Sequence, residues 1–376
     1  MKRFSTSKLM SAVLISLLVV SLIGCKTTTS AVEEVPAPAP VVLPEKKAEQ
    51  PAQEVKAEPV KEEVVQETEK VVAQEKTEEV VPEVVTPAEP KVEYPFGIEP
   101  IVKSDNGSDV FDLFVVHTND VHGRVSASSK SVGYSRLSTM LQVARSITDN
   151  VLLLDAGDTT HGTNIVNMFE GETTGVLLDM LGYDAIAPGN HDFNYGVDRL
   201  LEAAKMAQEY SNLKVLSANV TDTAGNLLFQ PYQIYEFNGF KVAVIGLTTP
   251  DTATMTHPKN VEGISFMSDA VVNYAQSAVD MAHQYADYVI VLGHIGNDES
   301  GVSGVTSQLI CSNINGIDLF VDGHSHDLLD NGERVNGTLI VQAGEYMKAV
   351  GVVDILVKNN EAVSEDAFLI KAADVD

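Results

Sequence analysis

Between residues 110 and 330 one pattern recurs: a short apolar run ending in side chains able to hold a metal ion. Val115-Val116-His117-Thr118-Asn119 leads to Asp120 and His122, and Leu152-Leu153-Leu154-Asp155-Ala156-Gly157 leads to Asp158. Gly189 precedes Asn190, His191 and Asp192, while Val291-Leu292-Gly293 precedes His294 and Asp322-Gly323 precedes His324, with His326 two residues on. Short apolar runs bounded by turn residues read as buried strands, and open α/β sheets gather their sites beyond the carboxyl ends of such strands. Singly, these motifs are weak, because any strand may end in Asp or His. Together and in order they require a fold that brings five strand ends to one point.

The remaining periodicities agree with such a fold. Segments 113–116, 151–154, 215–217, 242–245, 288–292, 319–321, 339–341 and 352–357 read as strands. Tyr134, Leu137, Met140, Leu141, Ala144 and Ile147 repeat at helical spacing, as do Val197, Leu200, Leu201 and Ala204, and Val271, Tyr274, Ala275, Ala278 and Ala282. Asn238-Gly239 between 229–237 and 240–245 is the clearest hairpin signal. Strands alternating with helices early and strand-rich segments late predict mixed sheets sandwiched by helices, in the α/β class.

This pattern does not begin at the amino terminus. Lys2, Arg3 and Lys8 precede an apolar stretch over 9–22, too short to span a bilayer comfortably, so 1–25 reads as a secretion signal. It ends in Leu22-Ile23-Gly24-Cys25, which resembles a bacterial lipobox with Cys25 as the lipidated residue. Cys311 would then be the one remaining thiol, leaving no intrachain disulfide. Residues 26–100 hold 11 of the 15 prolines and 17 Glu against 8 Lys. Such a segment cannot bury enough apolar surface to offset its ordering entropy, and it reads as an acidic tether with ends roughly 50 Å apart as a flexible coil. The chain carries a net charge of −28; setting aside +3 for the leader and −9 for the tether leaves −22 for residues 101–376. A domain that acidic repels nucleic-acid polymers and anionic membranes, so membrane contact is expected only through a lipid on Cys25. Acidity serves solubility equally well.

The ordered set of Asp120-x-His122, Gly157-Asp158, Gly189-Asn190-His191-Asp192, Gly293-His294 and Gly323-His324-Ser325-His326 resembles the 5′-nucleotidase branch of the calcineurin-like metallophosphoesterases over roughly residues 110–358. The resemblance implies a four-layer α/β/β/α sandwich with a dinuclear centre of Mn, Zn or Fe. It further implies that Asp120, His122 and His326 hold one ion, that Asn190, His294 and His324 hold the other, and that Asp158 bridges them. His191 matches the catalytic histidine. The implied activity is hydrolysis of a small phosphate ester, a nucleotide above all. A 2′,3′-cyclic phosphodiesterase, a nucleotide-sugar hydrolase and a non-catalytic metal-containing surface lipoprotein are the alternatives. Location in a bacterial cell envelope, on its periplasmic or surface face, follows from the leader.

Three departures qualify the resemblance. Asn194 stands where many relatives carry the Asp that orients the catalytic histidine, making Asp192 a candidate substitute. His161 stands where the family often has Gln, as a group supporting the site from behind, a substrate contact or a solvated loop residue. The chain also stops at Asp376, leaving length only to complete the sandwich, so the base-selecting domain of many relatives is expected to be absent or supplied by a separate chain. Arg124, two residues beyond His122, is either a donor to a phosphate oxygen or a surface arginine. His117 reads as a buried group behind the site, His257 and His283 as surface residues, and Asn219 as a structural hydrogen-bonding group. No Ser-His-Asp arrangement and no Walker-type loop is evident.

Overall fold

The structure, a computed structural model, describes residues 92–297 and 301–375. The expected leader, Cys25 and nearly all of the tether lie outside the described residues. In chain order the described strands are β1 (Ile101–Ser104), β2 (Val110–Thr118), β3 (Val151–Asp155), β4 (Ala185–Ile186), β5 (Lys214–Val215), β6 (Thr221–Asp222), β7 (Tyr232–Phe237) and β8 (Phe240–Thr248). They continue with β9 (Ile264–Ser265), β10 (Tyr288–His294), β11 (Leu319–Val321), β12 (Glu333–Val335), β13 (Thr338–Val341), β14 (Ala349–Lys358) and β15 (Glu361–Lys371).

Two sheets carry the fold. The first has the order β15-β14-β2-β3-β4-β5, with β2 to β5 parallel and the β14–β15 hairpin antiparallel on the β2 edge. The second has the order β1-β7-β8-β10-β11-β13-β12, with β8, β10, β11 and β13 parallel. A small β6–β9 pair stands apart. The turn Asn238-Gly239 joins β7 to β8 with φ of 52° and 89°, the left-handed pair that a two-residue hairpin needs.

Alternation along each strand explains why the runs read as continuously apolar: both faces are covered. Leu113, Val115, Leu152 and Leu154 face Val242, Val244, Ile290 and Leu292 of the other sheet in a central core. On the outside of the first sheet, Phe114, Val116 and Leu153 pack against Leu137 and Leu141 of helix Gly133–Ile147 and Leu200 of helix Val197–Tyr210. On the outside of the second, Ala243, Ile245, Val289 and Val291 pack against Val271, Ala275 and Val279 of helix Val271–Ala282. Three cores between four layers make the α/β/β/α sandwich. At about 1.5–3 kcal/mol for each fully buried Val-, Leu- or Ile-sized side chain, this burial is the main force joining the layers.

Packing starts upstream of residue 101. Ile98 is buried in the outer core of the second sheet and the Tyr94 ring lies 5.3 Å from that of Tyr285, so the composition boundary at 100 runs a few residues past the first packed side chains. Among the described residues no helix is long and apolar enough to cross a membrane.

Candidate metal centre

Every expected ligand lies at or just beyond the carboxyl end of a parallel strand. Asp120 and His122 follow β2, Asp158 follows β3, Asn190 follows β4, His294 closes β10, and His324 and His326 follow β11. Backbone hydrogen bonds tie these loops together: the Asp120 N–H donates to Gly157 O, the His122 N–H to Asp158 O and the Tyr346 N–H to Asp120 O, at 2.8–2.9 Å. Five of the seven expected ligands (Asp120, His122, Asp158, His324 and His326) have φ between 46° and 77°. Side chains other than glycine enter that left-handed region at a cost of order 1–3 kcal/mol each, and such strain persists where surrounding contacts over-determine it.

Two close-set groups result. Asp120, His122 and His326 each bring one ligand atom within 4.8 Å of the others, and so do Asp120, Asp158 and His294. Asp158 Oδ2 lies 3.3 Å from His294 Nε2 and 3.8 Å from His122 Nε2, spanning the two groups. His324 stands slightly apart: its ring is 5.1 Å from that of His294, and its Nε2 is 3.6 Å from Asp251 Oδ2. Gly189 and Gly323 let the loops close this tightly. A Cβ at Gly189 would come within 2.2 Å of Asp158 Oδ1, and one at Gly323 within 2.9 Å of His294 Nδ1.

Three buried atoms test whether these residues fit a metal. Asp120 Oδ1, Asn190 Oδ1 and His294 Nε2 are shielded from solvent and have no hydrogen-bond partner. Buried polar atoms are nearly always satisfied, so orphans at three of the expected ligand positions fit ligation of cations there. The tautomer of His294 agrees. Its Nδ1 lies 2.6 Å from Ala156 O, a carbonyl that can only accept, so the proton sits on Nδ1 and Nε2 is left to coordinate.

The electrostatics point the same way. Burial pushes His294 down, but the Asp158 and Asp120 carboxylates outweigh it and raise the imidazole to about 10. Asp158 is held below the ordinary carboxylate range, because His294 and His122 outweigh its burial. His122 and His324 are lowered chiefly by burial, whereas His326 is raised, led by the Asp120 carboxylate 3.2 Å from its Nε2. Two buried carboxylates therefore demand positive charge, which divalent cations supply while leaving the imidazoles neutral for ligation.

His191 sits beside this cluster, its ring 5.2 Å from that of His122 and its backbone N–H donating to Asp158 Oδ1 at 2.7 Å. Asn194 Nδ2 is 2.8 Å from His191 Nδ1, so Asn194 orients this imidazole. Asp192 does not, which corrects the expectation that it substitutes there. Its buried carboxylate accepts hydrogen bonds from the N–H groups of Asp158, Thr159, Thr160 and Gly189 and from Thr160 Oγ1. Asp192 fixes the loop that carries Asp158. Arg124 is exposed, with its guanidinium 5.0 Å above the Tyr346 ring, which in turn lies 5.4 Å from the ring of His122. His117 is buried in β2, His257 and His283 are exposed, and Asn219 bonds the backbones of Thr248 and Phe266.

Sequence reasoning missed several supporting groups. Asn119 donates to Asp120 Oδ2 at 2.7 Å and to Gly344 O while accepting from the Ala343 N–H, which fixes the Asp120 carboxylate. Glu345 Oε2 lies 2.9 Å from His326 Nδ1. Asp251, just beyond β8, faces His324 and accepts from the Val302 and Ser303 N–H groups. Its position after an apolar strand was a usable signal; Asn119 and Glu345 gave none.

The pattern of the calcineurin-like phosphoesterase family matches residues 115–328, more than half of the chain. The chain belongs to this family. It is 32% identical over 279 residues to a 5′-nucleotidase of Vibrio cholerae serotype O1, covering 67% of this chain and 50% of that protein. It is 30% identical over 302 residues to the trifunctional nucleotide phosphoesterase protein YfkN of Bacillus subtilis, covering 71% of this chain and 20% of that protein. The crystal structure of a 5′-nucleotidase precursor from Thermus thermophilus superposes with a TM-score of 0.59 at 28% identity, covering 69% of this chain and 54% of that one. The chain thus spans about half the length of the 5′-nucleotidases it matches, and what it shares with them is the metallophosphatase domain.

Proposed function

We propose that this protein is a two-metal phosphoesterase that hydrolyses a small phosphate ester, with nucleotides as the favoured class. The observation that carries this reading is the close grouping of Asp120, Asp158 and His294, in which Asp120 Oδ1 and His294 Nε2 are buried without a hydrogen-bond partner. In this reading Asp120, His122 and His326 would hold one ion, Asn190, His294 and His324 the other, with Asp158 available to both. When bound, two divalent cations supply positive charge and an activated water for in-line displacement at phosphorus. The chain's own groups do the rest. Asn194 keeps the plane of His191 fixed, and His191 donates to an oxygen that gains charge in the transition state. Arg124, the guanidinium stacked on Tyr346 at the rim, binds an outer phosphate oxygen.

The nucleotide class is supported by the 5′-nucleotidase relatives and by the trifunctional nucleotide phosphoesterase relative. Export and lipid attachment at Cys25 are supported by the leader and its Leu22-Ile23-Gly24-Cys25 end. The test is to strip metal from the purified protein, restore Mn or Zn, and assay mono- and diester nucleotides beside an aryl phosphate. Metal-dependent turnover of a nucleotide is expected, with His191→Ala lowering kcat by about 100-fold or more while both metals stay bound. Turnover of aryl phosphate without nucleotide preference would favour a selector supplied by a separate chain. No turnover of any ester would leave a non-catalytic metal-containing lipoprotein as the better account.

A further inference from the structure

His161 lies in the loop after β3 and belongs to none of the ligand groups. Its ring is nonetheless set parallel to that of His191, with an interplanar angle of 6° and centroids 5.4 Å apart. The residues on either side hold this pose. Thr160 is fixed through its N–H and hydroxyl to Asp192, and Gly162 is fixed through its N–H and carbonyl to Asn167. Tyr195 supplies the backing: its hydroxyl donates to the same Asn167 Oδ1 at 2.8 Å, and its ring lies 5.6 Å from His161. Gly162 also passes so close to the backbone of His122 that a Cβ would sit 2.2 Å from His122 O. The backbone around the stack is therefore pinned at both ends.

We infer that His161 is a positioning residue, which restrains His191 through its parallel, offset-stacked ring. Asn194 bonds His191 at Nδ1 and so restrains the ring in its own plane. A single in-plane hydrogen bond leaves rocking out of that plane open. The parallel, offset His161 ring resists this motion on one side, and the edge-on His122 ring, at 74°, bounds another. The amide at Asn194 makes a weaker orienting bond than a carboxylate, since charge-assisted hydrogen bonds are roughly twice as strong as neutral ones. A stacked ring offsets that weakness in this chain.

The inference rests on His191 acting in the proposed phosphoesterase reaction, and the test separates the two. In the full-length protein, His161→Ala should lower kcat roughly tenfold or more, since small misplacements of a reacting group are costly. KM and metal content should hardly change, and His161→Phe, which keeps a flat ring, should retain most of the rate. In the His191→Ala background, His161→Ala should have no further effect. Equal factors in both backgrounds, or a His161→Phe loss as large as that of His161→Ala, would overturn the inference. A second readout is independent of turnover. The NMR signals of the His191 ring should broaden through added motion in His161→Ala and stay sharp in His161→Phe, whatever shift the changed ring current brings; sharp His191 signals in His161→Ala would overturn it as well. If the wild-type protein cleaves no ester, the proposed function fails while the ring signals still decide whether His161 holds His191.

Discussion

His117 shows how closely single residues are fitted around the centre. Its ring lies against Gly351, where a Cβ would fall 2.0 Å from Nε2, and burial lowers its pKa to about 3. The unfolded chain takes up this proton as pH falls through about 6.5, while the folded protein refuses it until about pH 3. His117 therefore withdraws stability on acidification across that window, at about 1.4 kcal/mol per pH unit. His117→Leu should lose less stability than wild type between pH 6.5 and pH 5 in urea unfolding; an unchanged pH dependence would contradict this. Asp192 makes a second residue-scale prediction. Its carboxylate is buried under five donors, so Asp192→Ala should cost about 2–4 kcal/mol in the same measurement and loosen metal binding at Asp158. At this scale the sequence located the groups better than their partners. Asp192 was visible as a buried carboxylate beside His191, but whether it faced the imidazole or the amides depended on the path of the 158–160 loop, which no local pattern encodes.

At the level of elements, close approach of loops makes the site, and glycine permits it. Gly189 has ordinary backbone angles, so its requirement is space alone: an added Cβ would meet Asp158 Oδ1 at 2.2 Å and Asp158 N at 2.6 Å. Gly189→Ala should weaken metal binding by at least about tenfold in a calorimetric titration, a cost of roughly 1.4 kcal/mol that overpacking readily exceeds. Unchanged affinity would mean that the β4 loop is freer than it looks. The strands leading to the site were legible because β2, β3, β8, β10 and β11 are covered on both faces and read as unbroken apolar runs. β15 was not. Glu361–Lys371 is half-exposed and polar, and it is a strand through its ladder with β14 rather than through its own apolarity. β1 escaped for a related reason, pairing with β7 at the edge of a segment whose composition reads as tether.

For the whole molecule, the buried Asp120 and Asp158 carboxylates brought together must be held against repulsion, and the cations of the proposed centre would be the counterweight. Chelation should lower the unfolding temperature by about 5–15 °C, from the linkage expected at 100–1,000 times the metal dissociation constant and the size of this domain. An unchanged unfolding temperature would show that the ligand loops are rigid without metal. The central claim, that two ions work together here, is tested most directly by one titration. Metal-stripped protein is given Mn in increments while hydrolysis of a nucleoside monophosphate is followed. Turnover should stay near zero at first, rise as the second ion binds and level off at two equivalents per chain. A plateau at one equivalent, or no turnover at any loading, would contradict it.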